Sequence, residues 1–98
     1  MIQFMVEIKL PRYKNQHFRS WVEEQRQQIQ ALMEKGIILT VTLNADWTYL
    51  WLVMLGESSE KVLKEVEQFH LYRYMKVKVH PLALFDTSVF KLPPLVMN

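Results

Sequence analysis

Lys76, Lys78 and His80 alternate with Val77 and Val79 in the segment "QFHLYRYMKVKVHPL", residues 68–82. A strand there carries three basic or titratable groups in a row on one face. Glu7 alternates in the same way with Val6 and Ile8 in "MIQFMVEIKL". If the two segments are neighbouring strands, a carboxylate, two ammonium groups and an imidazole meet on one surface. Enclosed in a cavity, Glu7 could serve as a general base beside Lys76 or Lys78 as an electrophilic cation or anion partner. His80 would add a proton donor or shuttle. At a wet rim the same residues make an ordinary cross-strand ion pair, worth about 0.2–1 kcal/mol.

Other chemistries find little support. With no cysteine there is no disulfide framework, no thiolate metal site and no cysteine nucleophile. His17, His70 and His80 are scattered, and no HExxH or comparable ligand spacing occurs. Gly36 and Gly56 stand alone, so no glycine-rich phosphate loop exists, and nothing supports a serine triad. The expected chemistry uses neither metal nor cofactor.

The elements that must position these residues follow from periodicity. Ile2, Phe4, Val6, Ile8 and Leu10 alternate with Gln3, Met5, Glu7 and Lys9 as in a half-buried strand that Pro11 ends. From about Asn15, a plausible cap, the period changes to helical. Phe18, Trp21, Val22, Ile29, Leu32 and Met33 form one stripe, opposite Glu23, Arg26, Gln27, Gln30 and Glu34, and Gly36 closes the helix. "IILTVTL" reads as a second strand, "NAD" as a turn, and "WTYLWLVML" as a third strand apolar on both faces. After "GESSE", with Ser58 or Ser59 as cap, a short helix buries Val62, Leu63, Val66 and Phe69. The basic segment supplies the fourth strand.

The order strand, helix, strand, strand, helix, strand predicts an α+β, ferredoxin-like βαββαβ sandwich. Right-handed crossovers place both helices on one face of a four-stranded antiparallel sheet. The other face then holds Gln3, Met5, Glu7, Lys9, Ile38, Thr40, Thr42, Lys76, Lys78 and His80. The third strand adds either Thr48, Leu50, Leu52 and Met54 or Trp47, Tyr49, Trp51 and Val53. Either set puts an apolar band in the middle of a polar face, larger than a monomer normally leaves wet. Two such sheets packed face to face would cover it.

The chain's 98 residues, half of them hydrophobic, fit one domain over residues 1–84. Residues 85–98, "FDTSVFKLPPLVMN", form an apolar tail that Pro93 and Pro94 keep extended. It is expected to pack across a partner subunit, the other reading being that it folds back over its own helices. The N-terminus lacks the unbroken apolar core of a signal peptide, and no apolar stretch approaches the roughly 20 residues of a bilayer span. No membrane association is expected, and a reducing cytoplasm suits the absence of cysteine. A formal charge of +2 does not announce nucleic acid. The third strand carries aromatic residues but no Lys or Arg and no basic-glycine-aromatic signature, which argues against a base-stacking RNA-binding sheet.

The stretches "FMVEIKLP", "ALMEKGI", "ADWTYLWLV" and "QFHLYRYMKVKV" together resemble the muconolactone isomerase-like members of the dimeric α+β barrel superfamily. The likeness runs from about Ile2 to Leu84. Leu71, Tyr72, Tyr74 and Met75 fit the family's run before the last strand, while His70 and Arg73 stand where prolines are usual. Gln25 replaces a common acid on the first helix, and Thr42–Leu43 replace a tryptophan–arginine pair. The resemblance implies sheets paired into a barrel in a homodimer or higher homo-oligomer. It also implies a cofactor-free isomerase that moves a proton on a small lactone or carbonyl compound. On this reading Glu7, His80 and Lys78 are catalytic, and Met5, Thr40, Thr42, Trp51 and Lys76 line the pocket. A non-catalytic dimeric module for binding a small ligand, or for structure alone, is the alternative.

Overall fold

A computed structural model describes residues 1–12 and 18–84, apart from the side chains of Phe18 and Arg19. The expected tail and the expected cap at Asn15 lie outside the described residues. Strand β1 (Ile2–Lys9) leads to helix α1 (Phe18–Glu34), strands β2 (Ile38–Leu43) and β3 (Tyr49–Gly56), helix α2 (Ser59–Glu67) and strand β4 (Lys76–Pro81). The sheet order is β2-β3-β1-β4, with every neighbouring pair antiparallel. This is the ferredoxin-like sandwich. Among the described residues no helix is long and apolar enough to cross a membrane.

Strict alternation places the core. Phe4, Val6 and Ile8 of β1 stand opposite Met54, Leu52 and Leu50 of β3, and all six are buried against the helix layer. Ile29 and Leu32 of α1 and Val62 and Val66 of α2 close over them. The outward set on β3 is therefore Tyr49, Trp51, Val53 and Leu55, which decides between the two expected sets. Gly36 ends α1 in the left-handed region (φ 76°). Its N–H donates to the Met33 carbonyl at 3.0 Å, and the Ile37 N–H reaches back to the Leu32 carbonyl at 2.9 Å. That pair of bonds is a Schellman closure, satisfying carbonyls the helix end would otherwise leave bare. Ser58 caps α2 by accepting the Lys61 N–H at 3.2 Å. Phe69, expected on α2, is buried but lies just past its C-cap Gln68.

Two expectations about the strands also need correction. Unbroken alternation in β2 would put Ile38 on the uncovered face with Thr40 and Thr42. Instead Ile38 pairs with Met54 while Thr40 pairs with Val53, so a register shift intervenes. The extra residue turns Ile38 into the core, where it is 2% exposed, and leaves Thr40 and Thr42 outside. The third strand also starts two residues later than expected, at Tyr49. Trp47 lies in the preceding turn with φ 62°, a backbone state costly for a bulky side chain. Asn44 holds that turn together, its Oδ1 accepting the Thr48 and Tyr49 N–H groups at 2.9 Å each.

Candidate functional site

The face that the helices leave uncovered is built in rows across the four strands. One row runs Thr42, Trp51, Glu7, Lys78, and the next runs Thr40, Val53, Met5, His80. A third places Tyr49, Lys9 and Lys76 side by side. Met5, Glu7, Thr40, Thr42, Trp51, Lys76, Lys78 and His80, all expected at one site, therefore share one surface. They share it because β1, β3 and β4 pair without a shift, so period-two alternation holds across their rows. Lys9 belongs to the same patch.

The closest charged contact on this face differs from the expected one. Lys78 is the direct cross-strand neighbour of Glu7, yet the diagonal residue His80 comes within ion-pair distance, a pair that is charged when the imidazole is protonated. Its Nε2 lies 3.8 Å from Glu7 Oε1, within ion-pair range but beyond hydrogen-bond length. The Glu7 side chain is 35% exposed and that of His80 is 51% exposed. In a single chain this is a half-open carboxylate–imidazole pair, with two lysine stems beside it. Glu7 is the one acidic side chain that the strands place on this face. Such a set can take up a proton at the carboxylate, return one from the imidazole and steady an anion at an ammonium group.

The aromatic component is smaller than the sequence suggests. Tyr49 and Trp51 stack on each other with centroids 5.6 Å apart and planes 11° apart. Each ring thereby spends a face on its neighbour. Trp47 does not extend the row. Its left-handed turn carries it to the helix side, where it joins Val22, Val41, Leu43, Leu50 and Met75 around a cavity of about 270 Å³ under the first half of α1. The cavity's lining is almost wholly apolar apart from Gln25 and Arg26, so it offers no carboxylate or imidazole for proton transfer. Among the described residues no cluster of His, Asp or Glu could hold a metal ion.

Sequence reasoning also missed the work of two glutamines on α1. Gln25 is buried to 4% exposure on the helix side of the sheet. Its Oε1 accepts the Leu71 N–H at 3.0 Å and its Nε2 donates to Gln28 Oε1 at 3.1 Å. Gln28 Nε2 donates to the Gln68 carbonyl at 2.7 Å, while its Oε1 also accepts the His70 N–H at 3.1 Å. The pair thus bolts the 68–71 turn, which feeds β4, to α1. Trp21 stacks on Tyr74 from the same helix, with centroids 5.6 Å apart. These contacts set where β4 starts and so which of its residues meet Glu7. The one local hint is that Gln25 falls on the apolar stripe between Val22 and Ile29.

No protein-family model matches this chain, and no curated protein matches it.

Proposed function

We propose that two copies of the chain pair through their uncovered faces, and that the enclosed surface acts on a small carbonyl compound or lactone. The observation that carries this reading is the single carboxylate of Glu7, 3.8 Å from the His80 imidazole and flanked by the half-buried Met5 and Trp51. The likeness in order and spacing to the muconolactone isomerase-like family supports the same reading. The reaction is a cofactor-free double-bond shift. Glu7 removes a proton from the carbon next to the carbonyl, leaving an enolate whose oxygen Lys78 steadies. His80 returns a proton further along the conjugated system and is then reprotonated from Glu7, so no net proton or electron is gained or lost. Met5, Thr40, Thr42, Trp51 and Lys76 form the surrounding wall.

Enclosure matters for the chemistry. A carboxylate at an open, wet surface is screened and holds no substrate in a reactive pose; exclusion of water strengthens each charge interaction. The test combines assembly with exchange chemistry. Light scattering across a dilution series should show a mass of at least two chains. In D₂O, a panel of unsaturated lactones and enones should acquire deuterium beside the carbonyl, read by NMR. Glu7→Gln should fold normally and lose exchange by 10²-fold or more, the usual scale of a general base. If Glu7→Gln changes only thermal stability, Glu7 and His80 are a cross-strand ion pair. The protein is then a binding or structural module.

A further inference from the structure

The uncovered face holds more positive charge than its own acid can match. Lys9 stands between Tyr49 on β3 and Lys76 on β4, and Lys78 stands opposite Glu7. Like charges directly across a strand pair repel, so the Lys9–Lys76 row is not there for sheet stability. Among the described residues, the ion pairs are Arg26–Glu23, Lys61–Glu57 and His80–Glu7. None of them involves Lys9, Lys76 or Lys78. With His80 neutral, three lysines against one glutamate leave an excess of two positive charges on this face. On an open face this excess is exposed and screened by salt. A two-fold pairing would present the patch twice in one water-poor space, where unpaired ammonium groups are poorly tolerated.

We infer that the ligand of this face is a small polyanion with an apolar, planar body, and that its binding tightens the pairing of two copies. The inference rests on the paired-sheet reading above. Carboxylates sit against Lys9 and Lys76, leaving Lys78 beside Glu7, and the body packs beside Met5 and the Tyr49–Trp51 stack. Assembly and binding are then linked. An anion that prefers the closed pair lowers the dissociation constant of the dimer by the same factor that dimerisation raises its own affinity.

The test uses the full chain and benzene-1,3-dicarboxylate as probe, with chloride and sulfate as controls at equal ionic strength. Sedimentation equilibrium should show the dimer dissociation constant falling at least tenfold in the dicarboxylate, with a smaller effect of sulfate. Lys9→Gln combined with Lys76→Gln should dimerise more tightly than the parent chain without the probe and lose the response. A dimer equally tight in chloride and dicarboxylate overturns the linkage while leaving the paired sheets standing. A monomer at every concentration overturns both, even if calorimetry shows that it binds the dicarboxylate on its open face. A single-stranded oligonucleotide that binds a monomer more tightly than the dicarboxylate overturns both and reassigns the face to nucleic acid.

Discussion

The two faces of one sheet use alternate residues of the same strands and come out as different materials. Toward the helices, Val6, Ile8, Leu52 and Met54 are closed to solvent and belong to the buried hydrophobic cluster. One residue along each strand, Glu7, Lys9, Trp51 and Lys78 stand on the other side, half-buried or exposed. Because burial of apolar area is the dominant favourable term, the first face carries the stability of the domain. The second is free to hold charges that contribute little to it. The stability of the domain and the charge of its outer face can thus be altered separately by moving one position along a strand.

The sharpest way to break this comparison is to truncate one residue on each face. Leu52→Ala should cost about 2–5 kcal/mol in chemical denaturation, since it removes a fully buried side chain and leaves a cavity. Its neighbour Trp51→Ala should cost the isolated domain far less and instead weaken the pairing of copies proposed above. Equal losses at both positions would mean that the uncovered face is a second core. Next comes the approach of α2 to the sheet. A Cβ at Gly56 would collide with the Val62 side chain, itself fully buried, so Gly56→Ala should cost about 1–3 kcal/mol by overpacking.

Gln25 refines the comparison, because it is a polar residue on the apolar side. Gln25→Ala strips the acceptor from the buried Leu71 N–H and should cost about 1–3 kcal/mol. Hydrogen exchange should show faster opening at Leu71 than in β1. Unchanged exchange there would mean that water replaces the amide. The smallest effect belongs to Glu57 and Lys61, a fully exposed pair at 2.6 Å beside the start of α2. The hydrogen bond from Lys61, and then its charge, hold the Glu57 carboxyl below its ordinary value, and the same contacts raise Lys61. The Glu57 contribution is therefore present above the ordinary glutamate range and lost as pH falls through the lowered value. The Lys61 contribution is present below the ordinary lysine range and lost as pH rises through the raised one. Lys61→Met should leave the thermal midpoint at neutral pH nearly unchanged, and salt should erase any difference.

Much of the candidate site is legible in the sequence because β1 and β4 keep a two-residue period without interruption. Glu7 and the row of Lys76, Lys78 and His80 land on one face for that reason. Ile38 is not legible. "IILTVTL" contains no glycine or proline to announce a bulge, and the shift exists only as pairing against Val53 and Met54. Trp47 is missed because the turn is drawn tight by Asn44, whose amide reaches forward to Thr48 and Tyr49. Gln25 is missed because its partner is Leu71, 46 residues away.

The sequence by itself determined the order of elements, the helix closure at Gly36 and the two-faced character of the sheet. Each of these follows from local spacing, which a chain carries before it folds. Only the tertiary structure decided that Ile38 joins the core, that Trp47 leaves the aromatic row and that Glu7 pairs with His80 rather than with Lys78. The physical reason is shared: these outcomes depend on register and contact between segments distant in the chain, which no local period records.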